Sequence, residues 1–363
     1  MRTIEMSDYT VGRACFDSIP DVLNRYRATK VCLVGSAPSL AVAAPQIKAV
    51  LQRAGLTNLG TIDYGTHCTQ SAIDAVVANP AFVEADVVFA IGGGADIDTV
   101  KAASKQFGVK TVFSVPTACS TCSASTALAV VYNDDGTFKE YVRPDVPAHI
   151  FINQEIIAKA PASLFWAGIG DALSKQPEVE FACSGGIAKH TARLGLAIAR
   201  SCSEPLFEFG AQALEDVRQD KATKAVQQIV LDIIVNTGYV SNLMNQPDFY
   251  HNSSLAHAFF NATCGIERAG KRHMHGEVVS FGVLVLLAYA QKHDELERYA
   301  RFNASIGLPV TLAELDLSEE HLPELGELVQ GTSEWQAGVP EPFEVERFLD
   351  AVREADALGK TLL

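Results

Sequence analysis

Short β-rich runs alternate with helical segments through the first half of the chain, and this alternation restricts the folds that are open to it. Segments with helical spacing separate the runs, which cover residues 30–35, 59–63, 86–91 and 111–116. Strands that alternate with helices predict a parallel sheet with helices on its faces. Two extended runs around Asn133–Gly136 predict a β-hairpin, and a last run at 148–153 ends this half.

The second half of the chain has a different pattern. After about Pro161 it is almost wholly helical in character, as in 225–235, where branched apolar residues recur at helical spacing. A chain of 363 residues is long for a single core. We therefore predict an α/β domain over residues 1–161 and an all-α domain over residues 162–363.

The overall charge and the apolar runs restrict the partners. A net charge of −14 argues against nucleic acid or an anionic membrane as a partner. The longest apolar run, 278–290, is too short to cross a bilayer, which takes about 20 residues, and we interpret it as a buried helix. The first residues show no signal-peptide pattern, and the eight scattered cysteines are typical of reduced thiols. These features predict a cytoplasmic protein.

One carboxylate and two imidazoles stand out as a candidate metal site. Asp171 lies in GIGDALSK, His257 in SSLAHAFFNATCG and His275 in KRHMHGEVVSFG. Such a ligand set binds a divalent ion and leaves coordination positions open. Their separations match no local metal motif, and a lone histidine in an alanine-rich helix is usually a core residue. Glycines at 168 and 170 predict that Asp171 is exposed at the start of a helix, and His275 is predicted to open the buried helix.

Basic residues precede the second of these histidines. His273 either supports the metal site or has no part in it. Arg268, Lys271 and Arg272 form a cluster that is either a solvated face or a site that attracts a carboxylate or phosphate of the substrate.

A triple glycine, Gly92–Gly94, follows the apolar run 86–91 and precedes a helix that starts near Asp96. It is not a GxGxxG fingerprint. Glycines at a strand-to-helix turn let a phosphate approach the backbone, but they also form plain tight turns. The loop 116–121 follows the next strand, and its hydroxyl groups are candidates to contact the same phosphates or the nicotinamide ribose.

Taken together, these stretches identify a family. The chain resembles the glycerol-dehydrogenase-like branch of the iron-containing (group III) alcohol dehydrogenases, with features of its hydroxycarboxylate-dehydrogenase-like members. The likeness covers most of the chain in collinear order, through GGGADIDTVKA, VPT with the following ST, ALAVVYNDDG, INQEIIAKAPASLFWAGIGDAL, LAHAFFN, HGEVVSFGVLV and ADALG.

The resemblance implies a dehydroquinate-synthase-like fold with a Rossmann-like α/β domain followed by an all-α domain. The same resemblance implies that Asp171, His257 and His275 bind zinc or ferrous iron. It also implies that NAD or NADP binds in the α/β domain and that the protein is a cytoplasmic homo-oligomer acting on a small molecule. The dinucleotide contacts it implies are Gly93, Gly94, Asp98, Thr117, Ser120, Thr126, Leu128 and Tyr132.

Four departures from the family pattern affect the predicted substrate, the predicted coenzyme and one predicted helix. Cys122, in STC, replaces an aspartate that helps to bind the polyol, and Phe260 replaces a histidine near the metal, which makes the substrate site more apolar. Ser36, in VGSAP, replaces the acidic residue that faces the adenosine ribose, so NADPH is permitted. Pro177, soon after Asp171, is predicted to end or kink that helix. The changes at 36 and 122 favour the hydroxycarboxylate-dehydrogenase-like members.

The function predicted from the sequence is that of a metal-dependent NAD(P)-linked alcohol dehydrogenase. It interconverts a small vicinal diol or 2-hydroxy acid with its ketone, and the ion polarises the substrate oxygen during hydride transfer. One alternative is a dedicated hydroxycarboxylate dehydrogenase. Another is a dehydroquinate-synthase-like lyase, for which only the 268–272 cluster offers a phosphate site. The last is an inactive nucleotide-binding sensor.

Overall fold

The computed structural model of the protein describes residues 3–187, 189–266 and 272–363. Two compact units divide it: the chain up to Leu164 together with Asp216–Val230, and Phe165–Glu215 together with Leu231–Leu363. The domain division that the sequence predicts after residue 161 stays a prediction, because a compact unit is not by itself an independently folding domain. Arg268 and Lys271 of the basic cluster lie outside the described residues.

A parallel sheet forms the centre of the first unit. Its six strands follow the order β1-β8-β5-β4-β2-β3, and every neighbouring pair is parallel. Strands β2 and β5 have the bounds that the sequence predicts, and β4 is buried along its whole length. The strands of this unit are β1 Asp8–Val11, β2 Lys30–Gly35, β3 Thr57–Asp63, β4 Val87–Gly92, β5 Thr111–Pro116, β6 Ala129–Tyr132, β7 Phe138–Val142 and β8 His149–Ile152.

The strand order reverses direction at the centre of this sheet. The chain runs from β2 to β3 on one side, and then returns to place β4 on the other side of β2. The loops that leave β2 and β4 therefore diverge, and such a switch point leaves a crevice at the carboxyl ends of the strands. Strands β6 and β7 pair antiparallel as the predicted hairpin, with Gly136 in its turn at φ +84°.

Helices connect the strands of the sheet. The predicted alternation of strand and helix is confirmed, and α5 follows directly from β4 through the glycine turn. The helices of this region are α1 Ile19–Arg25, α2 Ala37–Arg53, α3 Gln70–Ala78, α4 Pro80–Glu84, α5 Gly94–Phe107 and α6 Gln154–Ala158.

Among the described residues, the rest of the chain is mainly helical, apart from one short antiparallel pair, β9 Asn245–Gln246 and β10 Phe249–Tyr250. The predicted helix at 225–235 is present but passes into a π-helical segment, Asp232–Asn236. The helices are α7 Ala162–Ala172, α8 Lys175–Ala182, α9 His190–Ala199, α10 Ser203–Arg218, α11 Lys224–Leu231, α12 Thr237–Met244, α13 Leu255–Thr263, α14 His275–Tyr289, α15 His293–Ile306, α16 Leu322–Gln330, α17 Ser333–Gly338 and α18 Val345–Lys360.

Helix α14 contains the longest apolar run of the sequence. All its residues from Val278 to Tyr289 are buried, which confirms the predicted buried helix, and His275 is its first residue. Within the described residues, no helix combines the length and the apolar character needed to cross a membrane.

Candidate metal and coenzyme sites

Three side chains that are distant in sequence meet in the helical unit. Asp171 lies at the end of α7, His257 near the start of α13 and His275 at the start of α14. One donor atom from each lies within 4.8 Å of the other two. The Oδ1 atom of Asp171 is 3.1 Å from Nε2 of His275 and 3.6 Å from Nε2 of His257. We call these three residues the ligand triad.

A close crossing of α7 and α14 holds two members of the ligand triad together. A Cβ atom on Gly170 would lie 2.3 Å from the carbonyl oxygen of Gly276, and one on Gly276 would lie 1.8 Å from the carbonyl oxygen of Ala167. Neither position accepts a side chain, so the two backbones touch. Asp171 and His275 are the chain neighbours of these glycines, and the crossing therefore brings them together.

A second glycine contact positions the third member. A Cβ atom on Gly282 of α14 would lie 2.6 Å from the carbonyl oxygen of Ala256 in α13. The next residue along α13 is His257, whose ring centroid is 5.3 Å from that of His275. Helix α14 therefore sets the distances within the ligand triad through glycines on two of its faces.

The sequence prediction about Asp171 is wrong in one respect. Asp171 does not start a helix but is the penultimate residue of α7, and Gly170 lies inside that helix because of the crossing with α14. The predicted effect of Pro177 agrees with the structure. Helix α7 ends at Ala172, and Pro177 lies in the first turn of α8, where a missing backbone N–H is tolerated.

A carboxylate that the sequence analysis missed supports His257. Glu178 of α8 has no exposed side-chain surface, and its Oε2 lies 2.6 Å from Nδ1 of His257. Its Oε1 accepts the backbone N–H groups of Ser254 at 2.8 Å and of His257 at 2.9 Å. A carboxylate on Nδ1 fixes the ring so that Nε2 faces the ligand triad. No motif or flanking residue marks Glu178 in the sequence.

The electrostatics of this cluster favour a cation. Burial alone would raise the pKa of Asp171, but the two imidazoles hold it well below its usual value. Burial likewise opposes ionisation of Glu178, and the adjacent His257 lowers its pKa in spite of this. Burial lowers the pKa of His257, but the two carboxylates outweigh it and raise the pKa to about 10. Two buried carboxylates thus carry negative charge that a bound cation neutralises.

The donors of the ligand triad fit zinc or ferrous iron. One carboxylate oxygen and two imidazole nitrogens leave coordination positions free for a substrate. The side chain of His275 is the most exposed of the three, at 35%, against 19% for His257 and 15% for Asp171. The ring of Phe260 stands edge-on to His275, with centroids 4.2 Å apart, and forms an apolar wall there.

The neighbouring basic residues have other partners. His273 places Nδ1 2.9 Å from Glu277 and Nε2 3.3 Å from Asp316. Arg272 pairs with Asp316 at 3.4 Å, and this pair is exposed to solvent. His273 is thus held by carboxylates outside the ligand triad.

The glycine turn of the α/β unit joins β4 to α5. Gly92 has φ +149°, and a Cβ atom there would lie 2.1 Å from the carboxyl group of Asp96. A Cβ atom on Gly93 would make only one ordinary contact, with Cβ of Ala118 at 3.9 Å. The start of α5 therefore offers backbone N–H groups and room for a phosphate.

Asp96 is a second residue that the sequence analysis did not assign to a site. Its Oδ1 accepts the backbone N–H of Ser36 at 2.5 Å, and its Oδ2 accepts the N–H of Gly93 at 2.9 Å. The hydroxyl of Ser39 donates to Oδ2 at 3.2 Å. Ser36 precedes α2, so a carboxylate does face the end of β2, although the sequence was expected to leave this position without one.

The other predicted coenzyme residues fall into three groups. Thr117 lies with Ser36 at the strand ends, where its hydroxyl is 3.4 Å from that of Ser39. The second group, Asp98, Thr126 and Leu128, surrounds the fully buried Lys101. The Nζ atom of Lys101 donates to the carbonyl oxygens of Thr126 and Leu128 and lies 3.0 Å from the carboxylate of Asp98. Tyr132 ends β6 on the hairpin, and Ser120 and Cys122 lie in the loop that follows β5. Their assignment to coenzyme or substrate stays a prediction.

Comparison with known proteins agrees with this architecture. A model of the iron-containing alcohol dehydrogenase family matches residues 7–153. Glycerol dehydrogenase of Thermotoga maritima is 33% identical over 82% of this chain and 81% of its own length. Hydroxycarboxylate dehydrogenase A of Escherichia coli K12 is 32% identical over 80% of this chain and 79% of its own. The crystal structure of glycerol dehydrogenase from Schizosaccharomyces pombe has a TM-score of 0.86 at 25% identity and covers 100% of this chain and 92% of that one.

The fold, the ligand triad and these relatives define an oxidoreductase that acts on CH–OH donors with NAD(P). The chain belongs to the iron-containing alcohol dehydrogenase family, in its glycerol-dehydrogenase-like branch. The predicted fold class, an α/β Rossmann-like region followed by a helical one, is confirmed.

Proposed function

We propose that this dehydrogenase interconverts a small vicinal diol and the corresponding hydroxyketone. The ligand triad would hold one divalent ion, zinc or ferrous iron, and NAD(H) would bind at the start of α5. The observation that supports the proposal most strongly is the ligand triad itself, whose donor atoms lie within 4.8 Å of one another. The diol is the first candidate because relatives that match most of the chain are glycerol dehydrogenases.

The residues of the chain have separate tasks in this proposal. A divalent ion, when bound, supplies Lewis acidity toward the substrate oxygen. Glu178 accepts the Nδ1–H of His257 and so directs the lone pair of Nε2 toward the ligand triad. Phe260 covers one side of His275 with an apolar ring. Gly93 leaves the backbone of α5 open to the coenzyme phosphates.

A 2-hydroxy acid is the second candidate substrate. Cys122 is uncharged where a polyol site of this branch carries an aspartate, and Phe260 makes the surroundings of His275 apolar. Both features reduce the number of groups that bind extra hydroxyls, and the cysteine also removes a negative charge that would repel a carboxylate. One relative of this chain is named a hydroxycarboxylate dehydrogenase.

We also propose a cytoplasmic homo-oligomer. The eight cysteines are scattered along the chain, as is typical of reduced thiols in a reducing compartment. Size-exclusion chromatography with light scattering tests the oligomer, and a single-chain mass would contradict it.

The proposed activity is tested on protein that has been stripped of metal and then reloaded with zinc or with ferrous iron under anaerobic conditions. Coenzyme absorbance is followed with two substrate sets, dihydroxyacetone with related ketols, and 2-oxo acids such as 2-oxobutanoate. Oxidation of the coenzyme by the ketols supports the diol proposal, and oxidation only by the 2-oxo acids supports the second candidate. Coenzyme and metal binding without turnover of either set would contradict both and favour a sensor.

A further inference from the structure

We infer that the Asp96 carboxylate selects NADH over NADPH, by excluding the 2′-phosphate that distinguishes NADPH. The inference rests on the proposed function, because it assumes that a nicotinamide dinucleotide binds at the glycine turn. It reverses the sequence expectation that the serine at position 36 leaves NADPH permitted.

Asp96 lies at the switch point of the sheet. The loops that leave β2 and β4 diverge there, and dinucleotides bind in the crevice at such a point. The carboxylate bridges these two loops, since Oδ1 accepts from Ser36 after β2 and Oδ2 accepts from Gly93 after β4. Asp96 therefore places its charge in the part of the sheet where the fold binds a coenzyme.

The carboxylate acts as an acceptor in each of these contacts. Two backbone N–H groups and the hydroxyl of Ser39 donate to it, as donors do to an ionised carboxylate. The hydroxyl of Ser36 donates to that of Ser39 at 3.1 Å. The hydroxyls of Ser36 and Ser39, which could otherwise bind a phosphate at the end of β2, are thus hydrogen-bonded in a chain that ends at the Asp96 carboxylate.

The backbone around Asp96 is shaped to admit this carboxylate. A Cβ atom on Gly92 would lie 2.1 Å from both Cγ and Oδ2 of Asp96, and φ at Gly92 is +149°. Any other residue at 92 would displace the carboxylate. The first glycine of the turn therefore accommodates an internal anion, whereas Gly93 is not crowded by the Asp96 carboxyl group and remains for the coenzyme.

This arrangement affects the two coenzymes differently. NADH and NADPH share the pyrophosphate, whose negative charge the N-terminus of α5 can stabilise. Only NADPH adds a phosphate on the adenosine ribose. In dinucleotide-binding folds an acidic residue near this ribose accepts the 2′-hydroxyl, and a basic one accommodates the 2′-phosphate. Asp96 is a carboxylate that is only 7% exposed, so solvent screens its repulsion weakly.

The test compares coenzyme affinities of wild-type protein, Asp96→Asn and Asp96→Ser by fluorescence titration, with kcat/KM as a second readout. We expect wild-type protein to bind NADH at least about tenfold more tightly than NADPH. Each substitution should reduce this ratio by about tenfold or more, mainly through tighter binding of NADPH.

Asp86→Asn is the matched control. Asp86 also accepts two backbone N–H groups, from Thr29 and Lys30 at 2.9 Å each, but it lies at the amino ends of β2 and β4, away from the switch-point crevice at their carboxyl ends. The Asp86→Asn variant loses the same negative charge as Asp96→Asn but should leave the ratio of NADH affinity to NADPH affinity unchanged.

Three results would contradict the inference or its basis. Equal affinities of wild-type protein for the two coenzymes would overturn the inference. Equal weakening of both by Asp96→Asn and Asp96→Ser would also overturn it and leave Asp96 as a helix cap. Failure of wild-type protein to bind either coenzyme would instead overturn the proposed function.

Discussion

The metal site and the coenzyme site of this chain are built in opposite ways. The ligand triad joins residues from three helices, and glycines within those helices set their distances. The glycine turn is local, because one strand, one turn and one helix start follow directly in the chain. Both sites contain a buried carboxylate that no motif marks. Glu178 contacts His257 and orients its ring toward the ligand triad. Asp96 lies in the first turn of α5 and, as we infer, restricts which coenzyme binds there.

The largest expected effect tests whether the two sites are separable. Asp171→Ala or His257→Ala should abolish turnover, with a loss in kcat of about a thousandfold or more, because the ion loses a ligand. Coenzyme affinity should stay within about twofold, since the glycine turn is unchanged. Steady-state kinetics and a coenzyme titration give the two values.

His293→Ala is the control for that experiment, because His293 is an exposed histidine paired only with a surface glutamate in the described structure. It should match wild-type protein in both measurements. Parallel loss of turnover and coenzyme binding in the triad variants would show damage to the fold and contradict the separation.

The helix crossing provides the next prediction. Gly276→Ala places a Cβ atom 1.8 Å from the carbonyl oxygen of Ala167. Helices α7 and α14 must move apart, which we expect to lower the free energy of unfolding by about 2 kcal/mol or more and to weaken metal binding by separating Asp171 from His275. Thermal unfolding and a metal titration measure the two effects.

Gly331→Ala is the matched control, because the nearest atom to its would-be Cβ lies at 3.5 Å. It should change neither quantity appreciably. Wild-type metal affinity in Gly276→Ala would show that the crossing does not set the ligand distances.

Glu178→Gln tests the orienting carboxylate. It keeps the shape of the side chain but removes the charge that holds Nδ1 of His257, so metal affinity should fall by about 10- to 100-fold. Coenzyme binding should not change. Competition with a chromophoric chelator gives the metal affinity.

The control is Glu180→Gln in the same helix, where Glu180 pairs with Arg200 and Lys292. An equal loss in metal affinity for both variants would show a general charge effect and would exclude a specific role for Glu178.

The smallest effect concerns a buried carboxyl away from both sites. Asp232, in the π-helical segment, accepts from Asn236 and has no partner for Oδ2 within the described chain. Burial raises its pKa to about 8, and the hydrogen bond from Asn236 offsets only part of this.

An aspartate in the unfolded chain titrates near pH 4. As the pH rises, the unfolded state therefore releases this proton at a lower pH than the folded state does. Folded-state stability should therefore fall as the pH rises from about 4 to about 8. Asp232→Asn should remove this slope and raise Tm at pH 7 by a few degrees. A Tm series against pH measures it, and an unchanged slope would contradict the account.

The sequence was sufficient to predict most of the elements and the three residues that meet in the ligand triad. Apolar runs predicted β2 and β5 to the residue, and the 278–290 run predicted α14. It was not sufficient where one residue acts on another that is distant along the chain. Asp171 was misplaced within its helix because a glycine that permits a helix crossing looks the same in sequence as one that breaks a helix.

The two hidden carboxylates show the same limit. Glu178 and Asp96 owe their roles to hydrogen bonds with residues on other elements, His257 and Ser36. Periodicity and spacing carry no information about such pairs. The sequence shows that the residue after β2 is an uncharged serine, but it does not show that Asp96 of α5 places a carboxylate at the same position.

The burial of α14 has a consequence for the choice of metal. The helix is buried from Val278 to Tyr289, so close packing restrains its position and that of His275 in its first turn. Ions of different radius would meet the same fixed spacing of donors. Zinc and ferrous iron both accept imidazole and carboxylate donors, so we expect the supply of the two metals during growth to decide which ion the protein carries, and either ion to give an active enzyme.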